Sequence, residues 1–229
     1  PPFHARAHDS ELLPDTVYAW KKISARTVGP GEESTPDGEA AMMSAYGVRE
    51  ASETVYARNS ERVRLRVLSF PTRERAFGYF RVLAGNGAVH GIVGDAVCFS
   101  RSETYRVFGP FVIVLEAVGV RAASPPDEAL MLAATRELYR KGDCYGDDIP
   151  LPVEERVLGS ERYLVPHAAA WLQLEGEGLE TLRGHCEKHA AWSATYEKTR
   201  LRIRRQLLYF PFRQRAAAAR FAAQLRARC

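Results

Sequence analysis

A short motif that occurs twice constrains the fold of this chain more than any other feature. Residues 70–76 read F-P-x-R-x-R-A, and residues 210–216 read the same pattern 140 positions later. The same offset, without a gap, aligns Arg64 with Arg204. In both copies a proline ends an alternating strand and a helix follows. The sequence therefore predicts an α+β protein made of two related strand-strand-helix units, with antiparallel sheets packed by helices.

Turn residues and composition divide the chain into four segments. At 229 residues it has room for one large domain or two small ones. We expect a flexible N-terminal segment over 1–11 and a first α+β unit over 12–142. Residues 143–152, with three Asp, one Gly and two Pro, are predicted to be a linker, and 153–229 a second, shorter and basic α+β unit.

The clearest local prediction is a hairpin in the first unit. Residues 48–58 and 62–70 read as strands, and the second strand places apolar and arginine side chains on opposite faces. One face should pack on a core and the other should meet water. Further strands are predicted over 91–100, 103–108 and 111–118. Helices are predicted to begin at Glu39, to follow Thr72 and Ser124, and to end before Gly47, Gly85 and Gly142.

Charge is distributed unevenly along the chain. From Lys198 to Cys229 there are ten cations and no acid, and the rest carries 22 cations against 28 acids, a net charge of −6. A basic end on an acidic body suggests an anionic partner or self-association. The alternative is an arginine-rich solvated surface without a partner.

Two basic sheet faces are the candidate binding sites. They consist of Arg58, Arg62, Arg64 and Arg66 in the first unit and Lys198, Arg202 and Arg204 in the second. Such faces suit an acidic protein, a phosphate or an anionic lipid surface. Nucleic acid is disfavoured because the residues between the cations are aliphatic and point to the other face. Alternatively, the arginines pair with sheet neighbours such as Glu50 and Glu53.

One cluster has metal-ligand spacing. In His185-Cys186-x-x-His189, a helix would place both histidines on one face, but the carboxylate of an H-E-x-x-H motif is missing. The sequence contains no nucleophile elbow, P-loop or complete dinucleotide fingerprint. We therefore predict a protein without catalytic residues or cofactor, and keep a small-ligand or metal-binding module as an alternative.

Cysteine usage and the first residue bear on the compartment. Cys98, Cys144, Cys186 and Cys229 form no C-x-x-C pair; an exported chain would allow one or two disulfides, and a reducing compartment would leave small buried apolar groups. No apolar run approaches the length of a membrane span. Because the chain starts at Pro1, we expect a processed or trimmed product, with a removed signal peptide or a disordered leader as explanations.

Residues 38–47, G-E-A-A-M-M-S-A-Y-G, resemble the G-A-E-L-Y-L-x-Y-G-F run of a bacterial family of exported proteins of unknown function. Residues 64–80, the Gly94-Asp95 turn and residues 105–115 follow in the order of that family. Met42-Met43 departs from its usual Leu-Tyr pair. The resemblance implies a periplasmic or lipid-tethered context and brings no activity, cofactor or catalytic residue; a cytoplasmic location stays open.

Together these observations predict a non-enzymatic cell-envelope protein without a transmembrane segment. It would be an accessory or structural subunit, in a membrane-associated complex as one option, that binds an acidic partner protein through its basic sheet faces. The alternatives are a small-ligand or metal-binding periplasmic module and a polyanion or nucleic-acid binder.

Overall fold

The computed structural model describes residues 13–28, 39–85, 87–92, 95–100, 102–119, 128–141, 162–166, 186, 188–198, 203–212 and 214–226. The chain divides into two compact units, Pro1–Asp148 and Ile149–Cys229, and each is described by itself. The division lies inside the predicted linker 143–152, which, like the predicted flexible segment 1–11, is outside the described residues. The described residues form four helices and eleven strands, so the protein is mixed α+β and mostly sheet.

The first unit is built on one antiparallel sheet of eight strands. In chain order these are β1 (Thr16–Val17), β2 (Trp20–Val28), β3 (Glu50–Arg58), β4 (Glu61–Ser69), β5 (Val89–Ile92), β6 (Asp95–Phe99), β7 (Glu103–Phe108) and β8 (Phe111–Val118). The spatial order is β1-β2-β3-β4-β8-β7-β6-β5, so β4 and β8 join two sets of consecutive strands at the middle of the sheet. Three helices accompany the sheet: α1 (Glu39–Tyr46), α2 (Arg73–Ala84) and α3 (Glu128–Lys141).

The single strand predicted over 91–100 is wrong, because β5 and β6 form a hairpin there. Gly91 has a φ of 110°, and a Cβ at this position would lie 2.4 Å from the carbonyl oxygen of Asp95. Only glycine permits this close approach of the two backbones. The hairpin therefore depends on Gly91, and the sequence pattern of the neighbouring residues did not indicate this.

The alternation of β4 gives the sheet two distinct faces. We call the face that carries Val63, Leu65 and Val67 the core face. Its buried cluster includes residues of β8 and of α3, among them Leu115 and Leu138. Helix α3 therefore packs on the core face, where the apolar stripe of β4 is removed from water.

The opposite face carries Arg62, Arg64 and Arg66, and we call it the arginine face. Helix α2 packs against β7 and β8 and also contacts α1. Glu39, the first residue of α1, bonds to Arg66, so both helices lie on the arginine face. The first unit thus has three layers, with one helix on the core face and two on the arginine face.

Local bonds explain the first copy of the repeated motif. The Thr72 hydroxyl caps α2 by accepting from the backbone N–H of Arg75 at 3.4 Å. The Arg75 side chain donates to the carbonyl of Tyr46, the last residue of α1, at 3.2 Å. A cation at a helix C-terminus is electrostatically favourable. This arginine of the motif therefore connects α2 to α1.

The second unit contains a smaller antiparallel sheet. Its strands β9 (Arg162–Leu164), β10 (Ala191–Lys198) and β11 (Ile203–Tyr209) are ordered β11-β10-β9, and α4 (Arg215–Arg226) follows. Phe221 of α4 is 6% exposed and packs against Phe210 with ring centroids 4.7 Å apart. Across the described residues of both units, no helix is long and apolar enough to cross a membrane.

Candidate functional site

The register of the sheet separates the four basic residues predicted in the first unit. Arg62, Arg64 and Arg66 lie on the arginine face. Arg58 shares the core face with Tyr56, which stands opposite Val63. There Arg58 lies 4.4 Å from the centre of the Trp20 ring and pairs with Glu61 at 2.8 Å. Arg58 is therefore part of the end of the hairpin and does not contribute to the arginine face.

Helices α1 and α2 cover one end of the arginine face and leave the other end open. Leu68 of β4 and Val112 of β8 lie opposite each other and are fully buried. Towards the other end of β4, Arg66 and Arg64 are half-buried and Arg62 is exposed. The open end consists of polar side chains from β2, β3, β4, β8 and β7, and it is the candidate site.

Ion pairs connect the strands across this open end. Arg26 of β2 bonds to Glu53 of β3 at 3.2 Å. Arg64 of β4 lies 3.6 Å from Glu53 and 3.3 Å from Glu116 of β8. The chain of opposite charges stabilises the pairing of four neighbouring strands. The alternative prediction that the arginines pair with sheet neighbours is thus confirmed for Glu53.

In these pairs the cations lie closer to the solvent than the carboxylates. The Arg26 side chain is 59% exposed and Arg64 is 38% exposed, whereas Glu53 is 15% and Glu116 30% exposed. Lys21 and Arg62, on the same face, are exposed, and among the described residues no ion pair involves either. The outer surface of the open end is therefore positively charged although carboxylates lie beneath it.

Arg66 has a different environment from Arg62. It lies 3.0 Å from Glu39, which also accepts a hydrogen bond from the hydroxyl of Tyr79 at 3.1 Å. The Arg66 and Glu39 side chains are only 16% and 15% exposed. Arg66 thus connects β4 to α1 and, through Glu39, to α2. Its charge is largely compensated by Glu39 within the fold.

Two further groups lie at the β7 edge of this cluster. The hydroxyl of Tyr105 donates to Glu103. Burial raises the pKa of Tyr105 well above its usual value, and the bond to Glu103 and its charge act in the same direction. The Tyr105 phenol therefore stays neutral near pH 7, which suits a structural or binding role.

The predicted metal ligands have separate outcomes. His185 lies outside the described residues. His189 packs against aromatic rings, with its centroid 4.8 Å from Phe221 and 5.3 Å from Phe212. In the described part of the chain, no group of three or more His, Cys, Asp or Glu side chains is arranged to hold a metal ion.

The two cysteines that the structure describes, Cys98 and Cys186, are free and buried. Burial raises the pKa of both thiols, and the nearby charge of Arg81 partly opposes this for Cys98. A raised thiol pKa reduces the thiolate fraction and hence the reactivity. Cys144 and Cys229 lie outside the described residues.

For the basic face predicted in the second unit, the structure gives the backbone register alone. Lys198 stands opposite Ile203, and Arg204 stands opposite Glu197. Arg202 lies outside the described residues. The register therefore places one carboxylate-bearing residue directly across from one of the predicted cations.

Sequence reasoning missed several members of the site. Arg26 and Lys21 belong to β2, whose cations were visible in the sequence but were not assigned to a strand. Glu116 and Glu39 come from β8 and α1, and the pairing of these elements with β4 leaves no local pattern. A more complete assignment of β2 would have found the first two residues.

The fold and site define a mixed α+β protein, mostly antiparallel sheet, with a partly open charged face. No family model matches the chain, and no curated protein matches it. Among solved structures, it is similar to the extracellular domain of PknH from Mycobacterium tuberculosis. That similarity has a TM-score of 0.38 and 12% sequence identity, and it covers 54% of this chain and 84% of that chain.

Proposed function

We propose that this protein is a non-enzymatic cell-envelope protein, an accessory subunit that binds an acidic partner protein through the open end of its arginine face. The observation that carries the proposal is the difference in exposure between Arg26, 59%, and its carboxylate partner Glu53, 15%. A partner that approaches this surface meets guanidinium and ammonium groups before it meets carboxylates.

The chemistry of the exposed groups supports a protein ligand with carboxylates. A guanidinium offers a planar set of N–H donors that matches a carboxylate, and several of them in a row favour one orientation of the partner. Arg62 and Lys21 retain their full donor capacity towards a partner. The contribution of such exposed pairs to affinity is modest, but their contribution to association rate and specificity is larger.

The proposal includes the relation of the two units. The order strand, strand, helix recurs, with β3, β4 and α2 in the first unit and β10, β11 and α4 in the second. The resemblance of residues 38–47 to a family of exported proteins supports a periplasmic or extracellular location. The relation between the two units and the periplasmic or extracellular location are both part of the proposal.

The test begins with native purification from the source organism in mild detergent, followed by mass spectrometry of the proteins that co-purify. We expect a stoichiometric partner with an acidic surface. The double variant Lys21→Glu/Arg62→Glu should lose this partner, while Arg136→Glu, an exposed charge reversal on α3, should retain it. Purification as a lone monomer, or equal loss of the partner in both variants, would refute the proposal.

A further inference from the structure

Strand β2 lies near the edge of the eight-stranded sheet with most of its outer side open. Its neighbour β1 pairs with it only at Trp20 and Lys21, with one further bond from the Lys22 N–H to the Asp15 carbonyl. In the part of the chain that the structure describes, no strand pairs with the outer edge of β2 beyond Lys22. Residues 23–27 are all exposed. Their outward backbone N–H and C=O groups are thus open to another strand.

The positive charges of β2 determine the charge that an added strand should carry. Lys21, Lys22 and Arg26 lie on β2, which contains no acidic residue. A second copy of this chain would bring Lys21 and Arg26 to the edge again and would be repelled, whereas Lys22 is already paired with Asp15 at 2.8 Å. The register shift between Lys22 and Ser24 is a bulge, a second device that disfavours pairing of identical edges.

The row of residues that crosses the sheet at Arg26 gives the required position of the acidic group. Arg26 of β2 stands directly opposite Glu53 of β3, and Glu53 stands directly opposite Arg66 of β4. Charge therefore alternates from strand to strand along this row. One more strand beside β2 continues the alternation if it carries a carboxylate opposite Arg26.

We propose that an acidic, extended segment of a partner protein adds to the sheet as a strand beside β2, with a carboxylate opposite Arg26. This inference rests on the proposed function and specifies the form of the acidic partner. Backbone bonds to the outer edge of β2 supply affinity, and the pairing with Arg26 supplies specificity. The added strand would run along Ser24–Val28, on the far side of the bulge.

The experiment uses the full chain and a capped nine-residue peptide that alternates threonine with glutamate. Two control peptides carry lysine in place of glutamate or a central proline, which cannot join a strand ladder. Binding is measured by calorimetry and amide exchange by mass spectrometry. At a peptide concentration tenfold above its Kd, we expect about tenfold slower exchange at the outward amides of residues 23–27. Neither control peptide should produce this protection.

Variants at Arg26 separate charge recognition from folding. Arg26→Glu should lower the affinity for the acidic peptide about tenfold and raise the affinity for the lysine peptide. Arg26→Gln should lower the affinity for the acidic peptide only a few-fold. Arg136→Glu, on α3 at the core face, is the charge-matched control and should bind as the parent does. Unchanged binding in Arg26→Glu would overturn the assignment of this residue.

The outcomes distinguish this inference from the proposed function. If the acidic peptide binds without protection of residues 23–27, strand addition is wrong while an acidic partner for the arginine face remains supported. If the peptide does not bind and the native partner is still lost in Lys21→Glu/Arg62→Glu, the edge is again excluded. Concentration-dependent dimerisation with the same protection would identify a second copy as the occupant and overturn the inference.

Discussion

Removal of the Glu39 carboxylate should destabilise the first unit more than any exposed ion pair does. Glu39 accepts from Arg66 at 3.0 Å and from Tyr79 at 3.1 Å, and the Tyr79 side chain is fully buried. A hydrogen bond to a charged group contributes about 1.5–3 kcal/mol, and a buried donor that loses its acceptor costs more than the bond was worth. Because both donors lose the same acceptor, we expect Glu39→Ala to cost about 3 kcal/mol. Glu39→Gln, which keeps an acceptor oxygen, should cost about half of that.

The assay must report on the first unit alone, since two compact units need not unfold together. Urea unfolding that is monitored through hydrogen exchange of the backbone amides of β4 meets this requirement. A double-mutant cycle with Tyr79→Phe should give a coupling energy of about 1 kcal/mol. Glu61→Ala is the control, because its pair with Arg58 is exposed and should contribute at most about 0.5 kcal/mol. If Glu39→Ala lowers the free energy of unfolding no more than Glu61→Ala does, the bonds of Glu39 to Arg66 and Tyr79 do not hold α1 on the sheet.

Three further measurements address other parts of the structure. Burial, followed by the charge of Asp15, raises the pKa of Tyr56 to about 12. The neutral phenol is therefore favoured in the folded state, so stability that is complete below pH ~10 should fall by roughly 2 kcal/mol as the pH approaches ~12, and urea unfolding of Tyr56→Phe should lack this fall. Gly91→Ala should cost at least ~2 kcal/mol by thermal or urea unfolding, since its φ is 110° and a carbonyl oxygen lies 2.4 Å from the new Cβ. Gly85→Ala should cost less than Gly91→Ala, because its strain comes only from the backbone, with φ 53° and ψ −124°, and no atom lies within 4 Å of the new Cβ. Phe221→Ala should speed hydrogen exchange in β10 and lower the free energy of unfolding of the second unit by about 3–5 kcal/mol.

The local elements of the first unit were predictable from sequence because each has its own signal. The hairpin of β3 and β4 follows from the alternation of apolar and arginine residues in β4 and from the two-residue turn before it. Helix α2 begins after Thr72 and ends before Gly85, as the cap residues predicted. Alternation, proline and cap residues act over a few positions, and all of them can be read directly from neighbouring letters.

The arrangement of the sheet could not be predicted in this way. The pairing of β4 with β8 brings together residues about 50 positions apart, such as Arg64 and Glu116. Hydrophobic alternation fixes which side of a strand is apolar but not which strand lies beside it. Likewise, the contact of Arg66 with Glu39 of α1 joins residues 27 positions apart. The position of Arg58 on the core face depends on the β3–β4 register, which places Arg58 opposite Glu61. The basic face predicted in the first unit therefore included Arg58, which lies on the core face, and did not include Glu116 or Glu39.

The arginines of β4 form one sequence pattern but occupy two physical roles. Three like charges at alternate positions of one strand repel one another, and carboxylates from β3, β8 and α1 reduce this repulsion. Compensation decreases along the strand, from Arg66, which lies beneath helices, through Arg64, which shares two carboxylates, to exposed Arg62. The stability of the fold therefore depends mainly on one end of the pattern and its binding capacity on the other. Since this gradient arises from where α1 and α2 cover the sheet, the position of the helices determines which arginine is available to a partner.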